Sequence, residues 1–172
     1  MTEDQADLVS KSFSLVLPIS EVAASLFYSR LFEINPQLKP LFKSDMKEQG
    51  RKLMSTIGTA VAAARNPTVL VGPLENLALR HVKYGVKPEH FDDVGQALIW
   101  TLEQGLGPNF TPATRQAWVC LYGELVAIML PKMAPPAGRP APNQAGTPAA
   151  NDDAPKDKSF FTSVASFLGW GR

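Results

Sequence analysis

Apolar residues in positions 1–133 recur every three or four places, and nothing there alternates with the period of two that a half-buried strand needs. Leu8, Val9, Phe13 and Val16 share one face behind Thr2 and Gln5, whose spacing is that of a capping box. Pro18 interrupts this helix and, being tolerated in a first turn, opens a second one. That helix carries Val22, Leu26, Phe27, Leu31 and Phe32 as far as Asn35-Pro36, where the residue before proline is pushed out of helical angles. A short segment from Pro36 to Phe42 follows, then polar residues through Lys47. A long helix with Leu53, Met54, Ile57 and Val61 as its apolar positions runs to Arg65 and is stopped by Asn66-Pro67. Gly72-Pro73 starts a shorter helix from Leu74 to near Val82, and Gly85 and Pro88 bracket a corner. Phe91, Val94, Leu98, Leu102 and Leu106 mark the next helix, closed by Gly105 and Gly107-Pro108. Thr111-Pro112 supplies the N-cap and first position of a last long helix, which faces Trp118, Tyr122, Leu125 and Met129 inward and ends at Pro131. The pattern predicts an all-α fold of unequal helices with mostly short connections.

Composition breaks near Met133. Residues 134–158 contain Pro135, Pro136, Pro140, Pro142, Pro148 and Pro155, many alanines and no aromatic or branched aliphatic residue. Such a stretch buries too little apolar surface to offset the entropy of ordering it. The expected organisation is therefore a folded domain over 1–133, a flexible Pro/Ala-rich linker over 134–158, and an apolar segment over 159–172. The whole chain has 17 basic against 16 acidic residues, a formal charge of +1, which argues against a nucleic-acid protein held by a basic excess. One cysteine, Cys120, excludes an intrachain disulfide framework, and His81 and His90 are the only histidines. Met1-Thr2-Glu3-Asp4-Gln5 is acidic where a signal peptide would be basic, and no apolar run is expected to reach the roughly 18–20 residues that span a bilayer. A cytoplasmic location is the expectation.

Three polar side chains fall on apolar helix faces. Tyr28 sits among Leu26, Phe27, Leu31 and Phe32; Gln49 precedes Leu53 and Ile57 at helical spacing; His81 follows Leu74 and Leu77. Buried phenol, amide and imidazole groups all need partners. Each has an ordinary alternative: a core histidine bonded to a backbone carbonyl, a tyrosine bonded to the next helix, a solvated first-turn glutamine. A cavity holding a metal-bound ligand between them satisfies all three at once.

Together with Pro36 and Phe42, these residues resemble the globin family, specifically single-domain bacterial globins similar to the haem domain of flavohaemoglobins. Leu26–Phe42 reads LFYSRLFEINPQLKPLF, Gln49–Leu53 reads QGRKL, and Arg80–Val86 reads RHVKYGV. The resemblance covers about residues 2–132 and implies a globin fold, a three-over-three helical sandwich, holding haem b. It implies that His81 is the proximal iron ligand, flanked by Leu77, with Tyr28 and Gln49 as the distal hydrogen-bond pair. Phe42, Leu53, Ile57, Val86 and Phe91 supply apolar walls, and Lys52 is either a haem-propionate partner or a solvated lysine. The implied ligands are O2, NO and CO, and the implied chemistry is NO dioxygenation. Reversible O2 storage or transport, and gas or redox sensing through the C-terminal segment, are the alternatives.

Two departures from the family alter those expectations. Flavohaemoglobin-type domains support the proximal histidine with a tyrosine and a glutamate; here Phe91 stands at the tyrosine position and no acidic residue lies between Val126 and Ala134. Without that carboxylate His81 is expected to donate to a backbone carbonyl and to remain a more neutral ligand. No Gly-rich dinucleotide fingerprint follows the globin-like region, so repeated turnover is expected to draw on an external reductase. In the tail, Phe160, Phe161, Val164, Phe167 and Leu168 share one helical face opposite Ser159, Thr162, Ser163 and Ser166. This amphipathic segment suits self-association, a partner groove or a membrane surface.

Overall fold

Local signals set most helix boundaries. The Thr2 side chain accepts from Gln5 N and the Gln5 side chain accepts from Thr2 N, closing the predicted capping box at the start of α1 (Glu3–Val16). Pro18 does not open the second helix directly: Leu17–Ile19 form a 3-10 turn, and α2 runs over Ser20–Ile34. Asn35 then caps a 3-10 segment, Pro36–Leu41, by accepting from Gln37 N at 3.1 Å. The next helix, α3 (Met46–Ala62), begins earlier than the apolar pattern indicates because Asp45 Oδ2 accepts from both Lys47 N and Glu48 N. It ends before Arg65, since Ala63–Arg65 turn away ahead of Pro67. After a 3-10 turn at Pro67–Leu70 come α4 (Val71–Lys83) and α5 (His90–Leu106). The last helix, α6 (Pro112–Met133), continues past Pro131. A proline in a final turn forfeits one backbone bond without forcing the helix to stop at once.

The computed structural model describes residues 1–133, which form one unit. The expected linker 134–158 and amphipathic segment 159–172 lie outside the described residues. Among the described residues there is no strand, as the periodicity predicts. Helix α6 packs against α1 and α4, while α2 packs against α3 and α5. Trp118, Leu31 and Val9 are the largest fully buried side chains. Trp118 Nε1 donates to Ser12 Oγ at 2.9 Å, and Ser12 Oγ donates to Leu8 O at 2.6 Å, so the polar atoms of the α1–α6 interface are paired in its core.

The stretch Glu3–Ile34 does carry an 18-residue window of mean hydropathy 1.3, apolar enough by length and composition to cross a bilayer, contrary to the expectation from the sequence. Part of its apolar content is used by the core, while Leu15, Leu17, Ile19 and Val22 are exposed. Val9, Phe13 and Val16 from α1, and Phe27 and Leu31 from α2, are buried in the core on either side of the 3-10 turn.

Candidate functional site

The approach of α2 to α3 begins at a glycine. A Cβ built on Gly50 would stand 3.0 Å from Ala24 Cβ, so only the missing side chain lets the two backbones come this close. The close approach brings the Tyr28 hydroxyl to the backbone carbonyl of Gln49, to which it donates at 3.3 Å. The Tyr28 ring is held in an aromatic cluster. Phe27 and Phe42 meet it edge-on with centroids 5.1 and 5.3 Å away, and Phe32 lies 6.0 Å away. Burial pushes the phenol up to about 12, so it remains an O–H donor throughout the physiological pH range. Gln49 itself is half-buried in the first turns of α3.

Helix α4 presents His81 in its last turn. The ring Nδ1 lies 2.9 Å from the Leu77 carbonyl. A carbonyl only accepts, so Nδ1 carries the proton and Nε2 keeps its lone pair for another partner. Burial lowers the His81 pKa, opposed by the bond to Leu77 and reinforced by Arg80, which favours the neutral, ligating form. The donation to a backbone carbonyl is the arrangement expected from the missing carboxylate. Phe91 stacks on the imidazole with an interplanar angle of 20° and centroids 6.2 Å apart.

A second layer fixes Phe91. The fully buried Tyr122 hydroxyl donates to the Phe91 carbonyl at 2.6 Å, joining α6 to the first turn of α5. Burial raises the Tyr122 pKa well above its ordinary value, and Asp92 and Asp93 add to the rise. Asp92 is raised as well, by burial and by Asp93, and its Oδ1 is buried without a hydrogen-bond partner among the described residues. Asp93 Oδ2 accepts from Asn35 Nδ2 at 2.8 Å, tying α5 back to the end of α2.

The two halves of the site adjoin through the corner after α4. Gly85, at φ +84°, turns the chain so that Val86 N reaches back to the His81 carbonyl at 3.0 Å. A Cβ on Gly85 would lie 3.7 Å from Leu41 Cδ2, which places the corner beside the segment that carries Phe42. Of the predicted wall residues, Phe42, Leu53, Ile57, Leu77 and Val86 are half-buried, and Phe91 is buried. Lys52 is 60% exposed and paired with Glu48 at 2.6 Å. His90 is half-buried rather than exposed as a first-turn residue would be, and its Nδ1 accepts from Lys87 N at 3.2 Å within its own turn.

Four features escaped the sequence reading: the Gly50–Ala24 approach, the Tyr122 bond to Phe91, the Asn35–Asp93 pair and the Ser12–Trp118 bond. A glycine inside an otherwise good helix was an available signal for the first. The others join residues distant in sequence, and only the fold pairs them.

The residues fit a planar iron macrocycle. Among the described residues no group of three or more His, Cys, Asp or Glu side chains is placed to hold a metal ion. A neutral imidazole whose Nδ1 is committed to Leu77 has Nε2 left to offer a metal that brings most of its own ligands. Phe42, Leu53, Ile57, Leu77 and Val86 are each half-buried and so keep apolar surface that a flat apolar group could cover.

A family profile described as Globin matches residues 25–129. Over 133 residues the chain is 31% identical to a flavohemoprotein of Rhodopirellula baltica, covering 76% of this chain and 33% of that protein. It is 26% identical to the flavohemoprotein of Vibrio cholerae serotype O1 over 133 residues, covering 76% and 34%. The chain thus spans about a third of the length of these curated relatives. Among solved structures, a bacterial globin from Campylobacter jejuni is similar with a TM-score of 0.68 and 26% identity, covering 77% of this chain and 96% of that one. An engineered carbene transferase from Rhodothermus marinus, whose parent carries the name nitric oxide dioxygenase, gives 0.70 at 26% identity, covering 77% and 93%.

Proposed function

This chain belongs to the globin family, whose haem-binding role its flavohemoprotein relatives share, and from that premise we propose that it holds haem b through His81 and converts NO to nitrate with O2. The overall reaction balances as NO plus O2 plus one electron giving nitrate, with the electron drawn from an external reductase. When bound, haem supplies an iron with an open coordination position for O2, NO or CO. The chain's own residues do the rest. His81 offers Nε2 because its Nδ1 proton is committed to Leu77, and burial keeps the ring neutral. Phe42, Leu53, Ile57, Leu77, Val86 and Phe91 exclude water from the bound group, and Lys52, now paired with Glu48, is free to exchange that exposed partner for a propionate. Tyr28, by turning its one hydroxyl proton away from the Gln49 carbonyl, and Gln49, through its side-chain amide, would donate hydrogen bonds to a diatomic ligand that carries partial negative charge. Each such neutral bond contributes about 1 kcal/mol net and more in a dry pocket, so two slow O2 loss by tens of fold.

The observation that carries this reading is that the Tyr28 hydroxyl of α2 reaches the backbone of Gln49 in α3, while His81 spends its Nδ1 on Leu77. Tightly held O2 suits a reagent better than a cargo. The test mixes reduced, O2-saturated protein with NO and quantifies nitrate within one turnover. Stoichiometric nitrate is expected, and slow or absent conversion removes the dioxygenase reading. Reversible O2 storage is the second reading, favoured by the Nδ1 bond to a neutral carbonyl in place of a carboxylate, which leaves His81 a weaker electron donor to iron. A ferrous iron–histidine stretch at the high frequency of an imidazolate-like ligand would count against it.

A further inference from the structure

Charge is unevenly spread over the domain. Residues 1–133 carry thirteen basic and thirteen acidic side chains, yet segments 36–52 and 79–89 together hold eight of the former and three of the latter. Elsewhere five cations stand against ten carboxylates. Lys39, Lys43, Lys47, Arg51 and Lys52 occupy the first segment; Arg80, Lys83 and Lys87 occupy the second; all are exposed. Among the described residues only Lys52, with Glu48, and Lys87, with Glu89 at 3.8 Å, have ion-pair partners within these segments. The remaining carboxylate, Asp45, is engaged in capping α3. Six cations are left without an ion-pair partner among the described residues.

These cations lie on two segments that meet in the fold. The two segments meet where Leu41 lies against Gly85, and the second of them exposes apolar side chains at the end of α4: Tyr84 at 62%, Leu79 at 50% and Val82 at 46%. Isolated exposed apolar residues are ordinary, but here an aromatic and two aliphatic side chains are interspersed with Arg80 and Lys83, which have no ion-pair partner among the described residues. A small apolar centre with a charged rim is the anatomy of a transient protein interface, with the rim steering the encounter.

We propose that this corner is the docking surface for a separate electron-donor protein with an acidic face, a reduced flavoprotein. The proposal rests on the haem reading above. One electron leaves the donor flavin, which is oxidised by one equivalent; the haem iron is reduced by one; no atom or proton changes hands. A donor docked here would sit beside the residue that would hold the haem, because Val82, Lys83 and Tyr84 directly follow His81. A rim of one sign raises association rates by roughly 10- to 1000-fold at low salt and loses that advantage as salt shortens the screening length.

The full chain, loaded with haem and confirmed by its Soret band, is mixed with the hydroquinone of an acidic flavodoxin at low protein concentration. The second-order rate of haem reduction is followed from about 20 to about 300 mM salt. Amide chemical-shift changes on adding oxidised flavodoxin give a second readout that needs no turnover. The expected rate falls at least about tenfold across that range, and the shifts concentrate in 36–52 and 79–89. Lys43→Glu with Lys83→Glu should slow the reaction about tenfold at low salt, while the charge-matched pair Lys11→Glu with Arg115→Glu stays within about twofold. A salt-independent wild-type rate, equal losses in both pairs, or shifts elsewhere overturns the proposal. So does a flavodoxin rate insensitive to Lys43→Glu/Lys83→Glu when binding to phosphatidylserine vesicles is abolished by it, which would assign the surface to membranes. Absence of a Soret band overturns the haem reading itself, and is thereby told apart from failure of docking.

Discussion

Gly50→Ala isolates the contact on which the distal pair depends. The added Cβ would stand 3.0 Å from Ala24 Cβ, and neither atom sits on a flexible side chain. To reach ordinary carbon–carbon contact at roughly 3.5–4.0 Å, α2 and α3 must move apart by about 0.5 Å or more. Three effects compete. Replacing an interior helical glycine gains about 1 kcal/mol of intrinsic helix preference. Overpacking costs about 1–3 kcal/mol. The separation also stretches the Tyr28 bond to the Gln49 carbonyl, already 3.3 Å long, beyond useful range and removes about 1 kcal/mol. Sterics win, and the net loss is about 1–3 kcal/mol. Gly72→Ala is the internal control: it is helical, a Cβ there meets nothing within 4 Å, and it should be neutral or stabilising. Urea unfolding followed by circular dichroism should show the Gly50→Ala midpoint falling by about 1 M. In a double-mutant cycle, Tyr28→Phe should cost at least about 0.5 kcal/mol less in the Gly50→Ala background than in the native one. A Gly50→Ala midpoint at or above the native value, or identical costs of Tyr28→Phe in both backgrounds, would refute the reasoning.

Further outcomes follow from the same geometry. Tyr28→Phe in the haem-loaded protein should raise the O2 dissociation rate about fivefold, the kinetic equivalent of one neutral hydrogen bond, and leave CO dissociation nearly unchanged; stopped-flow displacement checks both. Burial lowers His81 below its ordinary value of 6.5, so between the lowered value and 6.5 the unfolded chain binds a proton the folded chain refuses. Its contribution to stability is therefore full above that ordinary value, declines as pH falls through the window, and levels off below the folded pKa. Urea midpoints measured from about pH 7.5 to about pH 5 should show a slope that His81→Ala flattens, and an equal slope in the variant would exclude His81 as its source. Tyr122→Phe removes the donor to the Phe91 carbonyl while keeping the ring, and should lower stability by about 1–2 kcal/mol. It should also shift the iron–histidine stretch, through the Phe91 ring stacked on His81; an unchanged frequency would detach Tyr122 from the proximal side.

The helices were legible because each is written in short-range terms. Thr2 with Gln5, and Asn35 with Pro36, act over a few residues, and the 3.6-residue apolar period survives in any tertiary context. Boundaries moved where a local hydrogen bond outranked the period: Asp45 started α3 ahead of its first apolar residue, and Pro131 cost α6 one bond without ending it. The candidate site was legible as a set of residue types, since a phenol, an amide and an imidazole on apolar faces stand out against any core. Their relation was not. That Tyr28 meets the backbone of residue 49, that Nδ1 of His81 is spent on Leu77, and that Tyr122 clamps Phe91 are facts of packing.

What the sequence determined by itself is therefore an all-helical domain over 1–133 with three polar groups set on apolar helix faces, because secondary structure and facing follow from local preference and apolar periodicity. Only the tertiary structure decided that Tyr28 meets the backbone of Gln49, which nitrogen of His81 is spent on Leu77, and that two cation-bearing segments meet at Gly85 and Leu41. Those are consequences of where helices cross. A crossing angle or an approach distance is set by the fit of side chains dozens of residues apart, such as Gly50 against Ala24.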